Sequence, residues 1–163
     1  MHAPPPLYAV PTTAGTGSEV TVAAVIADPE QHRKLVIADT RLVPRIAALD
    51  PVLMTGMPGP VTAATGMDAL TRAVEAYLSQ WAILLTDQMA LAAVGLIYQN
   101  LSIAFHDGDN LLAREKMALA ATWAGLAFTR ANVGNVHAIA HPLGARYHAP
   151  PAARPTRATR CPG

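Results

Sequence analysis

The 163-residue sequence has a single cysteine, Cys161, so no internal disulfide can form and nothing points to an oxidising compartment; a reducing cytoplasm is the default expectation. Charge is scarce as well. At 14% charged and 52% hydrophobic residues the composition excludes a disordered chain and suits one moderate domain or two partial ones. A chain of this length buries roughly 68–70% of its unfolded surface, so packing can stabilise it without a disulfide or a structural metal. Acidic residues stop at Glu115: six basic and eleven acidic residues up to that point give −5, and six basic residues with no acid after it give +6. Six charges spread over the last 48 residues, with no dense cluster and no interleaved aromatics, do not make a nucleic-acid surface. Residues Met1–Pro6 lack the basic and apolar regions of a signal peptide, so export is not expected. The longest uncharged run, Gln88–Phe105, has 18 residues, the lower limit for a membrane span. Gln99, Asn100 and Ser102 inside it favour a buried helix of a soluble domain, with no membrane partner.

The chain changes texture part-way. Short apolar runs broken by turn residues occupy the front: LYAV from Leu7, VTVAAVIA from Val20, KLVIAD from Lys34 and RIAALD from Arg45, all of which read as strands. From Pro60 the spacing becomes helical. Thr62–Ser79 carries Met67, Leu70, Ala73, Val74, Tyr77 and Leu78 at intervals of three and four. Thr86 is the expected cap of a second helix running to about Phe105, Leu111–Phe128 is a third, and Gly134 to about Leu143 a fourth. The two prolines and two glycines of Thr55–Pro60 mark a domain boundary, giving residues 1–59 and 60–148 as units. After His148 the sequence APPAARPTRATRCPG has no large apolar residue, so 149–163 reads as a disordered tail.

Three stretches can carry chemistry. PTTAGTGSEVT, Pro11–Thr21, has five hydroxyl side chains and two glycines at a strand end; it is either a phosphate cradle or a polar turn, and it is neither a GxGxxG nor a Walker loop. Asp68, Arg72 and Glu75 fall on one helical face, either as a surface ion pair or as an acid poised near unpaired N–H groups. In VHAIAHPLG, His137 and His141 are four apart, a spacing shared by metal pairs and by histidines simply hydrogen-bonded in a core.

Taken in order, PTTAGTGSEVT, ATGMDALTRAVEAY and VGNVHAIAHPLGARYH resemble the signature stretches of the iron-containing, or group III, alcohol dehydrogenases, from about Tyr8 to Pro150. The resemblance implies a mainly α architecture of the dehydroquinate synthase-like type, an α/β fragment followed by an all-helical domain. Residues 1–59 would be the C-terminal part of a nucleotide-binding domain, and 60–148 an incomplete metal-binding domain. It implies hydride transfer between an alcohol or aldehyde and NAD or NADP with a divalent metal, Fe2+ or Zn2+, polarising the oxygen. Carried residue by residue, it makes Thr12, Thr13, Val25 and Lys34 cofactor-contacting, Asp68 and His137 metal ligands, and His141 a catalytic proton relay. A homo-oligomer is compatible with it.

The departures lie at the metal. The family site uses an aspartate, a histidine four later, and two histidines 14 apart; here the second position is Arg72 and the fourth Pro151. A guanidinium stays protonated and cannot ligate. The glycine-rich GGGS stretch that precedes such a front is absent, and the match stops abruptly where a shifted reading frame near residue 150 would end it. The chain therefore reads as a truncated and impaired dehydrogenase; the alternative is a non-catalytic remnant acting as a helical interaction module.

Overall fold

The structure is a computed structural model and describes residues 5–28, 33–132 and 134–140. Among the described residues the front holds four short strands in two pairs. Strand β1 (Tyr8–Ala9) runs parallel to β4 (Ile46–Ala47), with Tyr8 opposite Ile46, and β2 (Ala23–Asp28) runs antiparallel to β3 (Arg33–Ala38), with Val25 opposite Val36. The β-branched runs do form the strands, but each is trimmed: Val20 to Val22 precede β2, and only two residues of each outer run enter the parallel ladder. Asp39 and Asp50 each cap a short 3-10 turn, Thr40–Leu42 and Pro51–Met54, by accepting a backbone N–H two residues on.

Three long helices follow: α1 (Gly59–Tyr77), α2 (Leu84–His106) and α3 (Leu111–Ala131), each packed on the other two, with a further helical segment over 135–140. Helix α1 starts with Pro60 in its first turn, where a missing N–H costs nothing. Thr86 is not the cap of α2. It lies inside the first turn, and its hydroxyl both accepts from the Ile83 N–H and donates to the Ile83 carbonyl at 2.8 Å. Asn110 does cap α3, accepting from the Ala113 N–H at 3.1 Å.

The core is built of small side chains. Ala69, Ala73, Ala90, Ala93, Ala121 and Ala124 are buried between the helices, filled out by Met54, Ile97 and Met117. Alanine lets helix backbones approach closely at no cost in helix propensity, so contact area replaces side-chain bulk. Helix α2 is long and apolar enough to cross a membrane, and Ala90, Ala93, Ile97 and Ala104 on it are buried against the other helices.

Arg114, 1% exposed, ties the bundle to the strand-rich front. It donates to the carbonyls of Gly108 at 2.8 Å and Met57 at 3.1 Å and to the Thr62 hydroxyl at 2.8 Å. Burial lowers its pKa, and nearby Asp109 partly offsets that.

Candidate functional site

The loop Pro11–Thr21 lies on the helical bundle. The space a side chain would fill at Gly15 is taken by Thr65 of α1. At Gly17, whose φ of +59° favours glycine, it is taken by Gly125 of α3, with 2.8 Å from a hypothetical Cβ to the Gly125 Cα. Both glycines are therefore explained by close packing of the loop. Side-chain bonds fasten it further: buried Glu19 accepts from the Thr122 hydroxyl at 2.7 Å, and Thr129 donates to the Val20 carbonyl at 3.4 Å. Thr12 and Thr13 are left exposed at the loop's start, Val25 is exposed on β2, and Lys34 stands opposite Ala27 in the β2–β3 ladder, its side chain outside the described residues.

Helix α1 presents Asp68, Arg72 and Glu75 on one face, as their spacing predicts. What faces them comes from far along the chain. Helix α3 ends at Asn132 in the left-handed region, φ 67°, and Gly134 packs against Glu75, where a Cβ would lie 2.7 Å from Oε1. This reversal delivers His137, 4% exposed, to α1. Glu75 Oε1 accepts the N–H groups of Val136 at 2.7 Å and His137 at 3.3 Å, while Oε2 bonds His137 Nδ1. The carboxylate fixes the ring and turns Nε2 towards Asp68 Oδ1, 3.4 Å away.

Burial opposes ionisation of Glu75, but the bonds from His137 and the two N–H groups outweigh it and hold its carboxyl below the usual range. Burial likewise opposes charging of His137; Asp68 and Glu75 outweigh both that and the nearby Arg72, so its pKa is raised. Arg72 completes the centre. Its Nε and Nη2 lie 3.2 and 3.1 Å from Asp68 Oδ2, its Nη1 donates to the Thr16 carbonyl at 2.5 Å, and its guanidinium sits 5.1 Å over the Phe128 ring. The Asp68–Arg72 pair is therefore a largely buried part of the site and a strap on the loop, not a surface ion pair. Glu75 stands on the α1 face by its spacing and His137 by its motif, but nothing in the sequence pairs the two across 62 residues.

The donors suit a metal only in part. Two ligands each about 2.0–2.1 Å from one tetrahedral ion lie about 3.4 Å from each other, so Asp68 Oδ1 and His137 Nε2 keep the spacing of a ligand pair. Among the described residues no group of three or more His, Cys, Asp or Glu side chains joins them, and the other Asp68 oxygen is held by Arg72. A divalent metal does not fit this donor set. His141 lies outside the described residues, as do Pro151 and the 149–163 tail.

The "Iron-containing alcohol dehydrogenase" profile matches residues 1–51, and the "Fe-containing alcohol dehydrogenase family, C-terminal" profile matches 62–154. The chain belongs to the iron-containing alcohol dehydrogenase family. It is 53% identical over 146 residues to a 1,3-propanediol dehydrogenase of Citrobacter freundii, covering 90% of this chain and 38% of that protein. The crystal structure of a 1,3-propanediol oxidoreductase superposes with a TM-score of 0.91 at 50% identity, covering 95% of this chain and 41% of that one. A sulfoacetaldehyde reductase from Bifidobacterium kashiwanohense, solved in complex with NAD+, superposes at 0.88 with 38% identity, covering 92% and 40%. This family member thus spans about two fifths of the length of such relatives. The mainly helical fold with a small strand segment, expected from the resemblance, is the fold of these neighbours.

Proposed function

We propose that the chain belongs to a catalytically weakened iron-containing-type alcohol dehydrogenase that handles hydride exchange between a small alcohol or aldehyde and NAD or NADP. The observation that carries this reading is the superposition on a 1,3-propanediol oxidoreductase at 50% identity over 95% of the chain. In the forward direction the carbon bearing the hydroxyl gives hydride to the nicotinamide ring and the hydroxyl proton passes to a base, the role assigned to His141. Thr12, Thr13 and Val25 contact the dinucleotide, which suits their exposure, and Lys34 joins them from β3. The strapped loop supports positioning: fastened to α1 through Arg72 and to α3 through Glu19, it offers Thr12 and Thr13 from a fixed base. Residues 1–59 serve the nucleotide and 60–148 the reacting centre. The protein works in the cytoplasm on small molecules, without nucleic-acid or membrane partners. A non-catalytic remnant is the less favoured reading, given 53% identity over 146 residues to a 1,3-propanediol dehydrogenase.

The test is a titration of the full chain with NADH, followed by fluorescence, together with NADH formation from 1-propanol and 1,3-propanediol. Saturable binding that weakens in Thr12→Ala/Thr13→Ala is expected, with turnover about 100-fold to 1000-fold below a full-length relative, the usual cost of one missing electrostatic stabiliser. A folded chain with no saturable NADH binding would contradict the reading.

A further inference from the structure

We infer that Arg72 is the resident cation of this centre, and that the Asp68–His137 pair is held by its guanidinium and takes up no divalent metal, although the family is named for iron. The charge balance supports this. Asp68 and Glu75 are two buried carboxylates, and among the described residues the positive charges set against them are Arg72 and, when protonated, His137. In a metal centre the ion would supply that charge; here a guanidinium that stays protonated at any accessible pH supplies it permanently. Its contacts leave little freedom to move aside. It bonds one Asp68 oxygen through two nitrogens, bonds the Thr16 carbonyl through a third, and lies on the Phe128 ring. To admit an ion between Asp68 and His137 the strap on the loop would have to open, or a second cation would have to sit beside the first. The donor count points the same way, since a closed site wants about four ligands and the described residues offer two.

A second consequence is mechanical. The arginine joins α1 to the loop at Thr16, so the loop is in place without any ion, and adding or removing metal leaves its order unchanged. The inference concerns the same centre as the proposed dehydrogenase but stands on its geometry, and metal uptake is read without turnover, so either can fail while the other holds.

The experiment is a cobalt(II) titration of the chelator-treated full chain, followed by visible d–d absorption, with unfolding midpoints measured in zinc and in chelator. The wild-type chain is expected to show no saturable band and no shift of midpoint. Arg72→His, which removes the charge and supplies an imidazole one turn from Asp68, is expected to gain a saturable band that Asp68→Asn abolishes. One cobalt per wild-type chain, lost in Asp68→Asn, would overturn the inference, and so would a folded Arg72→His protein that gains no band. Circular dichroism reads whether that variant folds; if it does not, the wild-type titration decides.

Discussion

Two arginines are set into the helical bundle, Arg114 fully buried and Arg72 with 15% of its side-chain surface exposed. Arg114 bonds two carbonyls and a hydroxyl, with no carboxylate among those bonds, and it knots the start of α1, the α2–α3 turn and the segment around Met57. Arg72 faces a carboxylate, an aromatic ring and a loop carbonyl, beside a histidine that a second carboxylate orients. The first arrangement satisfies acceptors that the fold leaves at helix ends; the second gathers charge where chemistry would happen. Burial alone does not separate architecture from site, but the partners do.

The comparison breaks most visibly if Arg114 is removed. Arg114→Ala takes the donor from one buried and two part-buried acceptors at once and is expected to cost about 3 kcal/mol, read as a lower denaturant midpoint at unchanged slope. A cost under about 1 kcal/mol would mean that water or a neighbour satisfies those groups. Gly125→Val comes next. Its side chain would meet Gly17 and Val20, with a Cβ already 2.9 Å from the Val20 side chain, so overpacking of about 1–3 kcal/mol is expected. Faster hydrogen exchange across residues 14–20 should accompany it, because the loop is what must move.

Glu75→Gln should be smaller, about 1–2 kcal/mol, as one partner of a charge-assisted bond is replaced by a neutral one of the same shape. Its pH dependence sharpens the contrast between the two arginine regions. His137 has a raised pKa, so its contribution is complete below its ordinary value of 6.5 and fades as pH rises through the raised value. Glu75 has a lowered pKa, so its contribution is complete above its ordinary value of 4.5 and fades as pH falls through the lowered value. The stability difference between wild type and Glu75→Gln is therefore largest between these values and shrinks on either side. The cost of Arg114→Ala should stay nearly level over the same range, since none of its hydrogen-bond acceptors titrates there. Equal pH profiles for the two variants would remove the distinction.

Much of this was legible in the sequence wherever the signal is local. The runs at Tyr8, Ala23 and Lys34 have the β-branched or apolar content of strands, and the stripe from Met67 to Leu78 marks α1 as a helix but not its buried face, which is made of small residues such as Thr62, Thr65, Gly66, Ala69, Ala73 and Ala76 while Val74, Tyr77 and Leu78 are exposed. Asp68, Arg72 and Glu75 share one face of their own by spacing alone. Long-range polar contacts were illegible: Arg114 sits in a helical pattern like any surface charge, and its partner Met57 is 57 residues away. Glu19 reads as a loop acid, yet it meets Thr122 across 103 residues. Thr86 resembled a cap because hydroxyls favour helix starts, but its back-bonding to Ile83 serves the first turn from within. The two loop glycines looked like an anion cradle for the same reason that they pack well, which is the absence of a side chain.

The most direct test of the central claim, that a nicotinamide dinucleotide is received by the loop face beside Arg72, is an NMR titration of the labelled full chain with NADH. Shifts concentrated at Thr12, Thr13, Val25 and residues around Thr16 are expected, with Arg114 and its partners unmoved. Shifts gathered instead in the apolar groove of about 580 Å³ between α1 and α2, at Met67, Tyr98 and Leu101, would contradict it.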